Sequence, residues 1–281
     1  MKAFVDWVLA RRYRLILLAI VFAPVLPIVT AALISVDTAR RGAIQGLISA
    51  LLGVGGLLLL AALAGASSTV FATLGLISFL SGVGIGVLLH HAGNLTLAFQ
   101  GAVLFSFLLV GAMSLLGPDP RTVFEPVVEM LRASGASPEQ IAVIEESGGI
   151  LFAAAVFSQL MAPLLLGCWW LILANGGKGF GAEFRSLKLG RLLGVPATAV
   201  VALGLVFDAP LVQNLTALAL LAFVLQGLAV LHAWVYAKRW HPGVVAPVYV
   251  LLVTPLVMLS LSAVGLVDTW FDLRASLRPQ A

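Results

Sequence analysis

Residues 43–64 read AIQGLISALLGVGGLLLLAALA, with no charged side chain. At 1.5 Å per residue a helix of that length covers about 33 Å, enough for the ~30 Å hydrocarbon core of a bilayer. A helix packed in a soluble core keeps a polar stripe for water, and this one offers only Gln45 and Ser49. Its surroundings are therefore apolar on nearly every side. Runs of the same kind recur near 15–35, 70–89, 95–116, 150–173, 191–207, 211–236 and 244–267, giving eight candidate segments. The fold class they predict is all-α, a polytopic transmembrane helical bundle of about eight membrane segments.

Composition agrees: 61% of the 281 residues are hydrophobic and 10% charged, and the mean hydropathy is +1.11. The formal charge of +4 comes from 16 Lys and Arg set in short clusters between apolar runs. That is the pattern of topogenic loops, and it argues against nucleic acid as a partner. A lone cysteine, Cys168, excludes an internal disulfide and a thiolate metal cluster. Lys2, Arg11, Arg12 and Arg14 precede a long apolar run without a small-residue cleavage site, so no removable signal peptide is expected.

The chain reads as a single transmembrane domain over 1–281, with 117–149 as an extramembrane helical insertion. Gly117-Pro118-Asp119-Pro120 opens that insertion. Val123, Phe124, Val127, Val128 and Leu131 then recur at helical spacing, opposite Glu125, Glu129 and Arg132. A second helix is predicted from Ser137-Pro138-Glu139-Gln140, which is an N-cap, an N1 proline and a capping-box glutamine, to a stop at Gly148-Gly149. The amphipathic pair, with Phe124 and Leu131 on its apolar stripe, fits a lid, a partner surface or a plain connector resting on the bundle.

The first run, 15–35, holds Ala23-Pro24-Val25-Leu26-Pro27 at its middle and basic residues at both ends. If it spans, Lys and Arg divide equally between the two sides of the membrane. If it turns back as a re-entrant hairpin, twelve fall on one side, and only Arg121, Arg132, Arg274 and Arg278 on the other. The hairpin is the favoured reading, and it must be enclosed by protein. Gly42, Gly46, Ala50 and Gly53, and likewise Gly75, Ser78, Gly82 and Gly86, mark faces for close helix packing.

Polar groups at depth are few. Gln159 and Gln226 sit roughly 13–18 Å along their runs by helical rise. Pro163 frees the Gln159 carbonyl, and Pro255 frees Leu251 beside Thr254. Gln159, Gln226, Pro163, Thr254 and Pro255 therefore form the candidate substrate-binding set, a polar midplane pocket between broken helices. The plainer reading is that the amides bond across helices and the prolines kink them. No carboxylate, Lys or Arg is placed at hydrocarbon depth, and His90-His91 lack further ligands at metal spacing. No catalytic motif, cofactor site or metal site is expected. Gly176-Gly177-Lys178-Gly179-Phe180-Gly181 lacks the GxxxxGK[ST] pattern of a phosphate loop.

Trp169-Trp170 through Gly176-Gly177 to Glu183-Phe184-Arg185-Ser186-Leu187-Lys188-Leu189-Gly190, and the ending Gly265-Leu266-Val267-Asp268-Thr269-Trp270-Phe271-Asp272-Leu273-Arg274, resemble the YybS-like family of predicted bacterial inner-membrane proteins. That resemblance implies a multi-pass protein of the bacterial inner (cytoplasmic) membrane and permits a solute-binding role, since the family has been likened to the substrate-binding membrane subunits of energy-coupling-factor transporters. Glu183, Arg185 and Lys188 share one connector, where Arg185 has Glu183, a lipid phosphate or a protein as possible partners. Asp268 and Arg274 are six residues apart, too far for a direct pair within one helix, so each is expected to contact another segment.

Two functions follow. One is binding or transport of a small solute through the midplane pocket. The alternative is a non-catalytic scaffold or assembly subunit, acting on a membrane or cytoplasmic protein partner through Phe124, Leu131, Glu183, Arg185, Lys188, Asp268 and Arg274.

Overall fold

A computed structural model describes residues 2–65, 67–117, 119–177 and 179–277. Pro118, Lys178 and Arg278, which entered the reading of loops and charges, lie outside the described residues. Thirteen α-helices are formed and no strand is found among the described residues, so the protein is an all-α bundle. They are α1 (Lys2–Leu9), α2 (Arg12–Phe22), α3 (Pro27–Arg41), α4 (Ala43–Leu63), α5 (Ser68–Ala92), α6 (Leu95–Leu116), α7 (Glu125–Ala133), α8 (Pro138–Ala174), α9 (Phe180–Ser186), α10 (Gly190–Gly204), α11 (Pro210–Ala237), α12 (Ala246–Leu251) and α13 (Pro255–Phe271).

Five of these are long and apolar enough to cross a membrane: α4, α5 from Thr69, α6, α8 and α11. The chain is thus multi-pass by length and composition. The other three predicted segments are each assembled from shorter helices. Run 15–35 is divided between α2 and α3, run 191–207 belongs to a pair α9–α10 bent by 56°, and run 244–267 is divided between α12 and α13. Counting the bent pair as one span gives up to six.

The chain forms two compact units, one of residues up to Ala102 with Ser158–Phe184, the other of Val103–Phe157 with Arg185–Ala281. In the first, α2 and α3 fold back on each other. The Thr30 hydroxyl donates to the Ala19 carbonyl at 2.9 Å; a continuous helix would hold those residues about 16 Å apart. The two ends of the hairpin also meet. The Arg12 Nε donates to Ser49 Oγ at 2.9 Å, Ser49 Oγ donates to Asp37 Oδ2 at 2.6 Å, and Arg41 Nε pairs with Asp37 Oδ1 at 2.8 Å. The first run therefore enters and leaves at the same end of its unit, as the Pro24 and Pro27 breaks predict.

Residues 30–38 of α3 are buried throughout, the enclosure such a hairpin requires. Small residues make it possible: a Cβ on Gly82 would lie 2.6 Å from the Ala31 carbonyl, and one on Gly86 2.6 Å from that of Ser35. Gly82 and Gly86, two of the glycines predicted from spacing, are thus where α5 touches the α3 backbone. Around them Leu15, Ala19, Leu33, Ile34, Ala50, Leu57 and Phe79 form the apolar core.

The insertion forms in the second unit. Asp119 caps a 3₁₀ turn over Pro120–Phe124 by accepting from the Arg121 N–H at 2.9 Å. The Arg121 side chain bonds the same carboxylate and holds its pKa below the ordinary value. The first helix, α7, ends at Gly135 (φ 82°) in a Schellman arrangement, with Ala136 N–H on the Leu131 carbonyl at 3.0 Å. Gln140 Oε1 and Ser137 Oγ exchange backbone N–H bonds at 3.0 and 3.3 Å, completing the capping box.

The expected stop at Gly148-Gly149 does not occur, and α8 runs unbroken from Pro138 to Ala174. A Cβ on Gly149 would run into the Asn214 side-chain amide. That glycine admits a neighbouring helix and ends nothing. Nor does α8 break at Pro163, which removes one hydrogen bond from a helix long enough to continue past it.

Candidate functional site

Three polar side chains are buried together in the second unit. Gln226 on α11 is wholly buried. Its Oε1 accepts the Leu189 N–H at 2.9 Å, and its Nε2 donates to Asp268 Oδ2 at 2.7 Å and to Thr269 Oγ1 at 3.1 Å. Asp268 and Arg274 are 4% and 8% exposed, so their charges meet away from water. Arg274 NH2 lies 2.6 Å from Asp268 Oδ2 and its Nε 3.3 Å from Oδ1, a two-pronged ion pair. The remaining prong, NH1, donates to the carbonyls of Arg185 at 2.7 Å and Leu187 at 3.0 Å.

This overturns the expectation that Asp268 and Arg274 cannot pair. The six-residue spacing forbids a contact only if the helix continues, and α13 stops at Phe271. Asp272 takes φ 44°, ψ 63°, a left-handed conformation that Asp tolerates better than most residues, and the chain turns back. The turn carries Arg274 alongside the helix it has just left.

Two motifs far apart in sequence are therefore one structure. The 185–189 connector is held from beneath by Arg274 and Gln226, and Lys188 Nζ lies 4.0 Å from Asp272 Oδ2 at its half-exposed rim. Close packing supports it, since a Cβ on Gly194 of α10 would strike the Thr269 side chain. A buried ion pair whose guanidinium makes four hydrogen bonds, two to the carboxylate and two to backbone carbonyls, is an arrangement that tolerates desolvation. Chemically it fixes backbone.

The other candidates are placed elsewhere. Gln159 lies in the first unit, half-buried, with Nε2 donating to Ser81 Oγ at 3.1 Å. Pro163, one turn further on, is buried. Thr254 and Pro255 stand at the break between α12 and α13 that the sequence predicts. Both are exposed, and the Thr254 hydroxyl donates to the Leu251 carbonyl at 2.6 Å. Gln159 and Gln226 belong to different compact units, each with its own local partners.

Glu183 accepts the Leu95 N–H at 3.0 Å, which places a carboxylate at the positive end of α6. Phe124 and Leu131 are half-buried, and Val128 is the most enclosed of its stripe.

No family model, curated protein or solved structure matches the chain. The geometry stands alone.

Sequence reading missed several participants. The Leu189 N–H could not be foreseen, because it is a backbone donor. Thr269 carries no signal of its own beyond its place beside Asp268. The Asp37–Ser49–Arg12 chain in the first unit is a further participant, since Asp37 reads from sequence as an acid at the end of an apolar run. Its signal was present: acid at 37 and base at 41 are one turn apart, on a helix whose proline break returns it towards Arg12.

Proposed function

We propose that the protein is a non-catalytic scaffold or assembly subunit of the bacterial inner membrane, presenting the 185–191 connector to a protein partner. One observation carries this reading: every hydrogen-bonding group of the Gln226 amide is taken by Leu189, Asp268 and Thr269. The best solute ligand in the sequence is thereby spent on holding the connector in shape. Rigid presentation of a backbone segment lowers the ordering cost of recognition by a partner.

Gentle purification of the full chain followed by mass spectrometry tests it. A protein subunit retained in stoichiometric amount, and lost when Lys188 and Arg191 are changed to Glu, supports the scaffold. A stoichiometric small metabolite with no protein subunit overturns it.

Solute binding, the role that the YybS-like resemblance permits, is the second reading. It is favoured by the buried Ser78 hydroxyl, which has no hydrogen-bond partner among the described residues and lies one turn from the Ser81 that Gln159 contacts. An unpaired buried hydroxyl costs about 1–3 kcal/mol.

A further inference from the structure

At the end of α11, Arg185 lies with its guanidinium carbon 3.8 Å from the centre of the Tyr236 ring. Contact at that distance is a cation–π stack, and it holds the guanidinium flat. The backbone of Arg185 is fixed as well, because its carbonyl accepts from the buried Arg274 at 2.7 Å. Position and plane are both set. Yet none of the Arg185 side-chain N–H groups has a hydrogen-bond or acidic partner among the described residues. A pre-oriented fork with free donors is the geometry that grips two oxygens of one anion.

Two further cations close the same helix end. Lys238 and Arg239 follow Tyr236 directly, both exposed, and the acids of this unit's end are already engaged, Asp268 by Arg274 and Asp272 beside Lys188. Arg239 closes α11 with φ 54°, donating to the Tyr236 carbonyl while Trp240 donates to that of Val235. Glycine adopts this conformation freely, and a long side chain there is a choice against backbone preference. The negative end of the α11 dipole accounts for cations at 238 and 239. It does not account for the stacked fork of Arg185, which arrives from α9.

We propose that Arg185, Lys238 and Arg239, framed by Tyr236 and Trp240, form a binding site for the phosphate of an anionic phospholipid headgroup. The choice of a lipid rests on the setting as well as on charge. Tyr236 and Trp240 are 68% and 54% exposed at the end of a membrane-length helix, where amphipathic rings sit at headgroup level. The site is independent of whether the connector also carries a protein partner.

Native mass spectrometry of the detergent-purified full chain, offered phosphatidylglycerol and phosphatidylcholine of equal chain length, tests the assignment. The chain should retain phosphatidylglycerol about tenfold better, equivalent to about 1.4 kcal/mol. Arg185→Gln keeps the carbonyl that Arg274 holds and should erase most of that preference, as should Tyr236→Ala, whereas Tyr236→Phe should keep it. Arg239→Gln, on a different segment, gives a second readout should Arg185→Gln lower the melting temperature. Equal retention of the two lipids, indifference to these variants, or displacement of the lipid by millimolar inorganic phosphate would each overturn the proposal.

Discussion

Replacing Arg274 with Met should destabilise the second unit more than any other single change at its surface-facing end. The guanidinium makes two contacts to Asp268 and one each to the Arg185 and Leu187 carbonyls. Without it, the Asp268 carboxylate stays buried with the Gln226 amide as its remaining donor, and two carbonyls lose their partner. Removing one member of a buried ion pair typically costs about 3–5 kcal/mol. At about 2–4 °C per kcal/mol for a body of this size, the melting temperature falls by roughly 6–20 °C. Thermal unfolding of the detergent-solubilised protein, followed by size-exclusion fluorescence, reads this directly. The double variant Asp268→Leu, Arg274→Met removes both charges and should regain at least half the loss. The reasoning fails if Arg274→Met melts within about 2 °C of the parent, or if the two single losses simply add.

Single cysteines at positions 129 and 186, in a Cys168→Ala background, should react with impermeant reagent from opposite sides of intact membranes, with 186 on the cytoplasmic side. Equal labelling from one side would refute the assignment by loop charge. Changing Phe124 and Leu131 together to Ser should raise protease cleavage at 133–137 without lowering the main melting transition, because the long helices satisfy their own backbones; unchanged cleavage would show that the stripe does no docking. The Asp119 pKa is lowered mainly by the Arg121 side chain, so its contribution to the 120–124 turn is present above the unfolded carboxylate value and lost as pH falls through the lower folded one. Amide protection at 121–124, taken relative to the intrinsic exchange rate at each pH, should fall below about pH 4, and protection unaltered between pH 6 and 2 would contradict it.

What the sequence makes legible is local in origin. Proline and glycine act on the residues beside them, so the α2–α3 turn at Pro24 and Pro27, the Gly135 cap, the Ser137–Gln140 box and the break before Pro255 could all be read from spacing. Gly148 and Gly149 show the limit of the same rule. Two glycines cost an interior helix about 2 kcal/mol, which suggests a stop, but the space Gly149 leaves beside Asn214 lets a partner helix approach. That compensation is tertiary, and no reading along one helix contains it.

The site itself was half legible for a related reason. Gln226, Asp268, Arg274, Arg185 and Lys188 were all picked out as residues too polar for their surroundings or too specific for a plain loop. Their assembly depends on a single backbone event, the left-handed turn at Asp272, which converts a six-residue separation from a prohibition into a clamp. Position along a helix does not say what a side chain meets. Helical rise locates Gln226 along α11, whereas its partners come from the last turn of α13 and the non-helical stretch before α10. A polar residue deep along one helix sits at whatever level its neighbours end, and a connector with free N–H groups is drawn to it because an unmet amide among apolar side chains is costly. The expectation of a pocket and the finding of a clamp thus rest on the same energetic demand, and the fold met it with backbone and an ion pair.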